Sequence, residues 1–274
     1  MASDEADRLR DFERAAHTRM APGYDAFFSP VTALATPALL DAAAVGPGTR
    51  VLDVACGPGR VSAHAALRGA VATGVDLAPG MVALARGLHP GIDFHEGEVE
   101  ALPFDDSAFD ALVCSFGLGH FPDPERAAAE CRRVVGPGGR LAFAWWDDPK
   151  RHRLQALFGE AAAEIGAPTP ANVPQHSTLR FCDADEFRRL LEGAGLLGVE
   201  VRSHTAEHRV QDTEALWDGG LGSLAMTAAA IVHQTEDVRA RIRAAFERRA
   251  AAYRTADGLR IPIAFLIGRG RKPD

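Results

Sequence analysis

The residues whose types and spacing could do chemistry begin in Thr49-Arg-Val-Leu-Asp-Val-Ala-Cys-Gly-Pro-Gly59, where an apolar run ends at Asp53 and glycines follow at 57 and 59. Two glycines one residue apart let the backbone take positive φ and let a ligand lie against bare main chain, beside the positive end of the helix that should follow. A nucleotide-like ligand is expected there. A dinucleotide fingerprint would place a third glycine three positions on, but this chain has Ser62, which weakens a nicotinamide-dependent reading. A second apolar run, from Ala70 to Val75, ends at Asp76. That acid falls at the carboxyl end of the neighbouring strand, facing the same crevice, where it can accept both hydroxyls of a ribose.

Four further segments follow in order: Gly97-Glu-Val-Glu-Ala-Leu-Pro-Phe104, Phe109-Asp-Ala-Leu-Val-Cys-Ser-Phe116, Leu118-Gly-His-Phe-Pro-Asp123 and Val134-Val-Gly-Pro-Gly-Gly-Arg-Leu-Ala-Phe143. With the glycine turn and Asp76 they resemble the class I S-adenosylmethionine-dependent methyltransferases, by pattern the ubiquinone-biosynthesis type, whose members methylate small molecules. The agreement runs from about residue 45 to residue 146 and continues more loosely to the end. The resemblance implies S-adenosylmethionine as cofactor and S-adenosylhomocysteine as product. It places Ala55, Cys56, Gly57 and Gly59 in backbone contact with the cofactor, Asp76 and Leu77 at its ribose, Glu98 and Val99 at its adenine, and Ser115 and Phe116 nearest the methyl. Met81 is grouped with them. Asp53 is expected to orient the turn or a water near the cofactor's amino group. Tyr24, in a Tyr-Asp element, is read either as a lid over the methionine end or as core packing. Two departures stand out: Glu98-Val99 where the family more often has Asp-Ala, and Ala78 where a helix-capping Ser is usual.

Methyl transfer is an in-line displacement that asks the protein mainly for alignment and a dry pocket, and positioning alone can supply roughly 7–11 kcal/mol. A general base adds about 10²–10⁴ in rate where the acceptor must lose a proton. His120 is the candidate, because its loop follows the fourth strand into the crevice and imidazole titrates near neutrality; the bland alternative is a histidine that only holds the loop. Tyr24, Phe28, Trp146, His204 and His233 are the expected acceptor contacts. His17, His64, His89, His95, His152 and His176 show no pattern that raises them above surface positions.

The chain has 274 residues, 47% of them hydrophobic, and a formal charge of −7, enough for one large core and poorly suited to polyanion binding. Its only basic cluster is a short tail at Arg269–Lys272. A small-molecule methyl acceptor is therefore expected as partner, with no nucleic acid and no membrane. Cys56, Cys114, Cys131 and Cys182 form no close pairs and have no histidines at metal spacing, so neither disulfides nor a metal are expected. No signal peptide is recognised and no apolar run is long enough to span a bilayer, so a cytoplasmic location is expected.

To position these residues the chain must alternate strands and helices up to Trp146, the pattern of an α/β fold with a doubly wound, mostly parallel sheet, and the family resemblance implies seven strands. Residues 1–46 are expected as N-terminal helices and lid, 47–148 as the cofactor-binding core, 149–180 as a variable substrate cover, and 181–274 as the rest of the core, with a helical roof over about 213–253. The first helix is read over Asp4–Met20, with Leu9, Phe12, Ala16 and Arg19 on one stripe; Val199–Arg202, extending towards Ala206, and Ile261–Ile267 are read as the last two strands. The functional expectation is methyl transfer to O, N or C of a small, largely apolar or aromatic metabolite of bacterial specialised metabolism. The alternative is a cyclisation or rearrangement in which the adenosyl compound is structural.

Overall fold

A computed structural model describes residues 3–171, 173–174 and 176–274; Met1, Ala2, Asn172 and Gln175, which fall within the expected lid and cover segments, lie outside the described residues. The helices are α1 (Ser3–Gly23), α2 (Ser29–Thr32), α3 (Thr36–Ala42), α4 (Arg60–Leu67), α5 (Pro79–Leu88), α6 (Pro124–Val134), α7 (Arg153–Glu164), α8 (Ala184–Gly193), α9 (Thr213–Ser223), α10 (Ala225–Val232) and α11 (Glu236–Ala250). The strands are β1 (Arg50–Val54), β2 (Val71–Asp76), β3 (Asp93–Glu96), β4 (Phe109–Ser115), β5 (Val135–Trp146), β6 (Leu197–Val210), β7 (Arg254–Thr255) and β8 (Gly258–Arg271). Main strand order is β3-β2-β1-β4-β5-β8-β6, parallel from β3 to β5, with β8 antiparallel to both neighbours and β7 a short hairpin partner of β8. The sheet is thus the doubly wound, mostly parallel one expected, with β7 added.

Covered on both faces, the central strands read as unbroken apolar runs: Val51, Leu52 and Val54 of β1 and Ala111 to Cys114 of β4 are buried. The strand order reverses between β1 and β4, so the carboxyl ends of β1, β2 and β4 open a crevice there, the usual ligand position in such sheets. Asp123 caps α6 by accepting from Arg126 N, and Asp183 caps α8 by accepting from Asp185 N and Glu186 N.

Several elements differ from the sequence reading. The last two strands are far longer, 14 residues each, and β6 forms the edge. The stretch from Tyr24 to Phe28, which holds the Tyr-Asp element, is a turn of π-helix continuing α1. The cover contains a 12-residue helix, α7, with Leu154, Leu157, Phe158 and Ala161 buried on one face. The helical roof consists of three helices, α9, α10 and α11. No single helix among the described residues is long and apolar enough to cross a membrane; α9 and α10 reach that length only together and meet at 104°.

Candidate active site

At the reversal point lies a cavity of about 940 Å³. One end is bounded by the turn after β1, the end of β2 and the loop after β3; the other by α7, the segment around Ser177 and the junction of α9 and α10. Asp76 sits at the first end. Its Oδ2 accepts from Gly57 N and its Oδ1 from Ala78 N, both at 2.8 Å, which fixes the carboxylate and leaves further lone pairs available. Burial raises its pKa, with those two bonds and the nearby imidazoles of His17 and His120 opposing. Ala55 and Phe116, both lining the cavity, hold φ of 54° and 59°, conformations costly for residues with a side chain and concentrated at functional sites.

The cavity wall holds Tyr24, Phe28, Ala55, Gly57, Asp76, Leu77, Met81, Glu98, Val99, Ser115, Phe116, His120 and Trp146. The remaining expected contacts lie off it. Asp53 turns into the interior and accepts from Ser62 N and Oγ at 2.9 and 2.6 Å; burial, only partly offset by those bonds, pushes it up to about 7. Ser62 thus occupies the place of a third glycine by serving as Asp53's partner. Cys56 packs with Val82, Ala85 and Phe94, and burial raises its thiol well above the usual value. Gly59 starts α4 in the left-handed region, φ 80°, and a Cβ there would stand 2.6 Å from the Phe94 ring, so this glycine serves packing within the protein. His204 stacks on its cross-strand partner Phe265 at 5.4 Å between centroids, and His233 is exposed beyond α10.

Residues that the sequence patterns did not single out complete the cavity, three of them from α1. Arg10, Glu13 and His17, spaced by three and four, share its inner face with Tyr24 beyond. Arg10 bridges Glu98 at 3.2 Å and Glu100 at 2.9 Å, so both carboxylates of the segment after β3 are held by the N-terminal helix. Glu13 is 4% exposed. Its Oε1 lies 3.0 Å from His120 Nδ1 and its Oε2 3.1 Å from His17 Nδ1, which also reaches the Glu13 carbonyl at 3.0 Å. Burial would raise this carboxyl, but the charge and hydrogen bonds of His120 and His17 outweigh it and hold it well below the usual range. Burial likewise disfavours a charged His17, yet the bond to Glu13 and the charges of Glu13 and Asp76 push it up to about 9. His17, expected at the surface, is therefore an imidazolium beside the cavity.

The other end of the wall is aromatic. Phe116 stacks on Trp146 at 3.8 Å, and Trp146 on His152 at 4.1 Å. Trp145 packs edge-on to His120 at 5.6 Å, with its Nε1–H donated to Thr178 O. His152 and His176, expected at the surface, also line the cavity, and His176 Nε2 lies 2.8 Å from Gly119 O.

Residues 52–143 match a family model described as a methyltransferase domain. A demethylmenaquinone methyltransferase of Beutenbergia cavernae is 40% identical over 177 residues, 61% of this chain and 74% of that one. A namesake from Renibacterium salmoninarum is 39% identical over 122 residues, and there the chain spans only 52% of the relative's length. A solved putative methyltransferase from an antibiotic biosynthesis pathway of Anabaena variabilis is similar in fold, with a TM-score of 0.59 at 19% identity over 85% of this chain and 95% of that one. With this sheet, and with 40% identity across 74% of one relative, the chain belongs to the class I S-adenosylmethionine-dependent methyltransferases of the ubiquinone and menaquinone type.

Proposed function

We propose that the protein moves the methyl of S-adenosylmethionine to a flat, largely apolar small molecule bearing an ionisable hydroxyl, a phenol or reduced quinone, with His120 as general base. The observation that carries this reading is one continuous cavity with Asp76 at one end, aromatic rings at the other, and the Glu13-paired His120 in its wall. The residues suit the cofactor: Asp76 would take the ribose, Arg10-held Glu98 and Val99 the adenine, the positive-φ turn at Ala55–Gly57 the methionine end, and Tyr24 would cover it. When bound, the cofactor supplies an electrophilic methyl on a positively charged sulfur. Phe28, Phe116 and Trp146 would hold the acceptor's face and exclude water. His120 would take the hydroxyl proton, and the Glu13 carboxylate would fix its ring and balance the charge. On this assignment 47–148 bind the cofactor, 1–46 form the lid, and 149–180 with the roof over about 213–253 enclose the acceptor. The relatives named demethylmenaquinone methyltransferases favour an aromatic acceptor of the reduced-quinone kind; a role in specialised metabolism is compatible with the same cavity.

Calorimetric titration with S-adenosylhomocysteine is the test of the cofactor end. Wild type should bind, and Asp76→Ala should lose roughly 10- to 150-fold in affinity, the equivalent of about 1.5–3 kcal/mol for a hydrogen bond to a charged group. Unchanged affinity in the variant would remove Asp76 from the site. Mass spectrometry of incubations with 1,4-naphthalenediol should then show a product heavier by one methyl. Consumption of an acceptor without that gain would favour the rearrangement, with the adenosyl compound structural.

A further inference from the structure

The acceptor end of the cavity contains a buried imidazole with no hydrogen bond. His152 precedes α7, is 3% exposed and lines the cavity. Among the described residues neither ring nitrogen has a partner; Gln155, one turn along, lines the same space without a well-formed bond to it. Burial, with a small contribution from the Arg153 charge and against Gln155, drives His152 down to about 3. The ring is then neutral across the physiological range and offers one N–H and one lone pair. Buried polar groups left unmet are rare because each costs stability, and those that persist usually await a water, ion or ligand. The ring is also held still, stacked on Trp146 with an interplanar angle of 21°. His120, in the turn after β4, packs against the adjacent Trp145, and both imidazoles line the same cavity.

We infer that His152 is the positioning residue for the methyl acceptor, meeting a second oxygen of a ring whose first hydroxyl is presented to His120. The inference rests on the function proposed above and narrows it to rings carrying two oxygen substituents. A site built to bond a hydroxyl rejects the analogue that lacks it far more strongly than an apolar pocket does, since its own polar group is then stranded. The test compares 1,4-naphthalenediol with 1-naphthol under anaerobic conditions, by quenching of tryptophan fluorescence in the S-adenosylhomocysteine complex. Wild type should bind the diol at least tenfold more tightly. His152→Phe, which keeps the stack on Trp146, should bind both alike, retain its affinity for S-adenosylhomocysteine, and melt no lower than wild type. His152→Gln should keep part of the preference, and serves if the phenylalanine variant does not fold. Equal binding of the two ligands by wild type, or an undiminished preference in His152→Phe, overturns the inference. Binding is read apart from turnover, so a preference for the diol without methylated product would sink the proposed function and leave the role of His152 standing.

Discussion

Glu13 is a carboxylate at 4% exposure, and a buried charge persists only where partners replace the water it has lost. Its partners are the two imidazoles, His120 and His17. If His120 is the base, Glu13 positions it, and the two should act as one unit. His120→Ala is expected to lower kcat by about 10²–10⁴, and Glu13→Gln by less. The double variant should be no slower than His120→Ala alone, because residues that work as a unit are not additive. The affinity for S-adenosylhomocysteine should stay close to that of wild type throughout, which separates positioning from collapse of the pocket. Additive losses in kcat would show that Glu13 acts independently of His120.

At the scale of elements, α1 is pressed against α5 with no room for side chains at one point. A Cβ on Gly80 would stand 2.3 Å from the Thr18 carbonyl oxygen and 2.8 Å from its Cα. Gly80→Ala should therefore push α1 outward, costing about 1–3 kcal/mol of stability and loosening the end of the cavity that α1 lines. Gly87→Ala, on the same helix but facing open space, should be neutral or stabilising by up to about 1 kcal/mol. Denaturant unfolding and S-adenosylhomocysteine titration of both variants check this; equal behaviour of the two would show that the α1–α5 contact is slack. The same interface explains what could be read in advance. The glycine turn and Asp76 were legible because they are local, each needing only a strand end and a bend. The inner face of α1 was not, because it lies against the cavity and substitutes Glu13 for an apolar residue: the stripe read through Phe12 and Arg19 runs instead through Leu9, Glu13 and Ala16, with Phe12 half-buried and Arg19 exposed. For α7 the signal was present, at Leu154, Leu157, Phe158 and Ala161, but the prolines that follow it masked the helix. The length of β6 was hidden because it is the edge strand, charged on both faces, and its pairing with β8 is non-local.

Over the whole molecule, the unusual titrations tilt stability against alkaline pH. His17 binds its proton up to about pH 9 in the folded chain against roughly 6.5 when unfolded. Its contribution is thus complete below pH 6.5 and lost as pH rises through 9. Asp53, pushed up to about 7 from an unfolded value near 3.9, has the same sign: stability is complete below 3.9 and declines as pH climbs through 7. At both groups the folded state holds more protons than the unfolded one, so each makes unfolding easier with rising pH. A tenfold difference in proton affinity between the two states is worth about 1.4 kcal/mol, so each group carries on the order of 3–4 kcal/mol, less whatever His17 shares with Glu13. Glu13 works the other way, its contribution present above its unfolded value near 4.3 and lost as pH falls below it. His152, held down to about 3 against roughly 6.5 when unfolded, has the opposite sign to Asp53 and offsets it between about pH 4 and 6.5. The apoprotein should therefore be nearly level between pH 5 and 6.5 and weaken from pH 6.5 towards pH 9. Urea unfolding across that range should show the stability of Asp53→Asn rising from pH 5 to 6.5, where the wild-type curve is nearly level, and His17→Gln flattening the slope between pH 6.5 and 9. A wild-type curve that is level from pH 5 to 9, or a His17→Gln slope parallel to wild type in the upper window, would mean that His17 is not the imidazolium its contacts with Glu13 and Asp76 require.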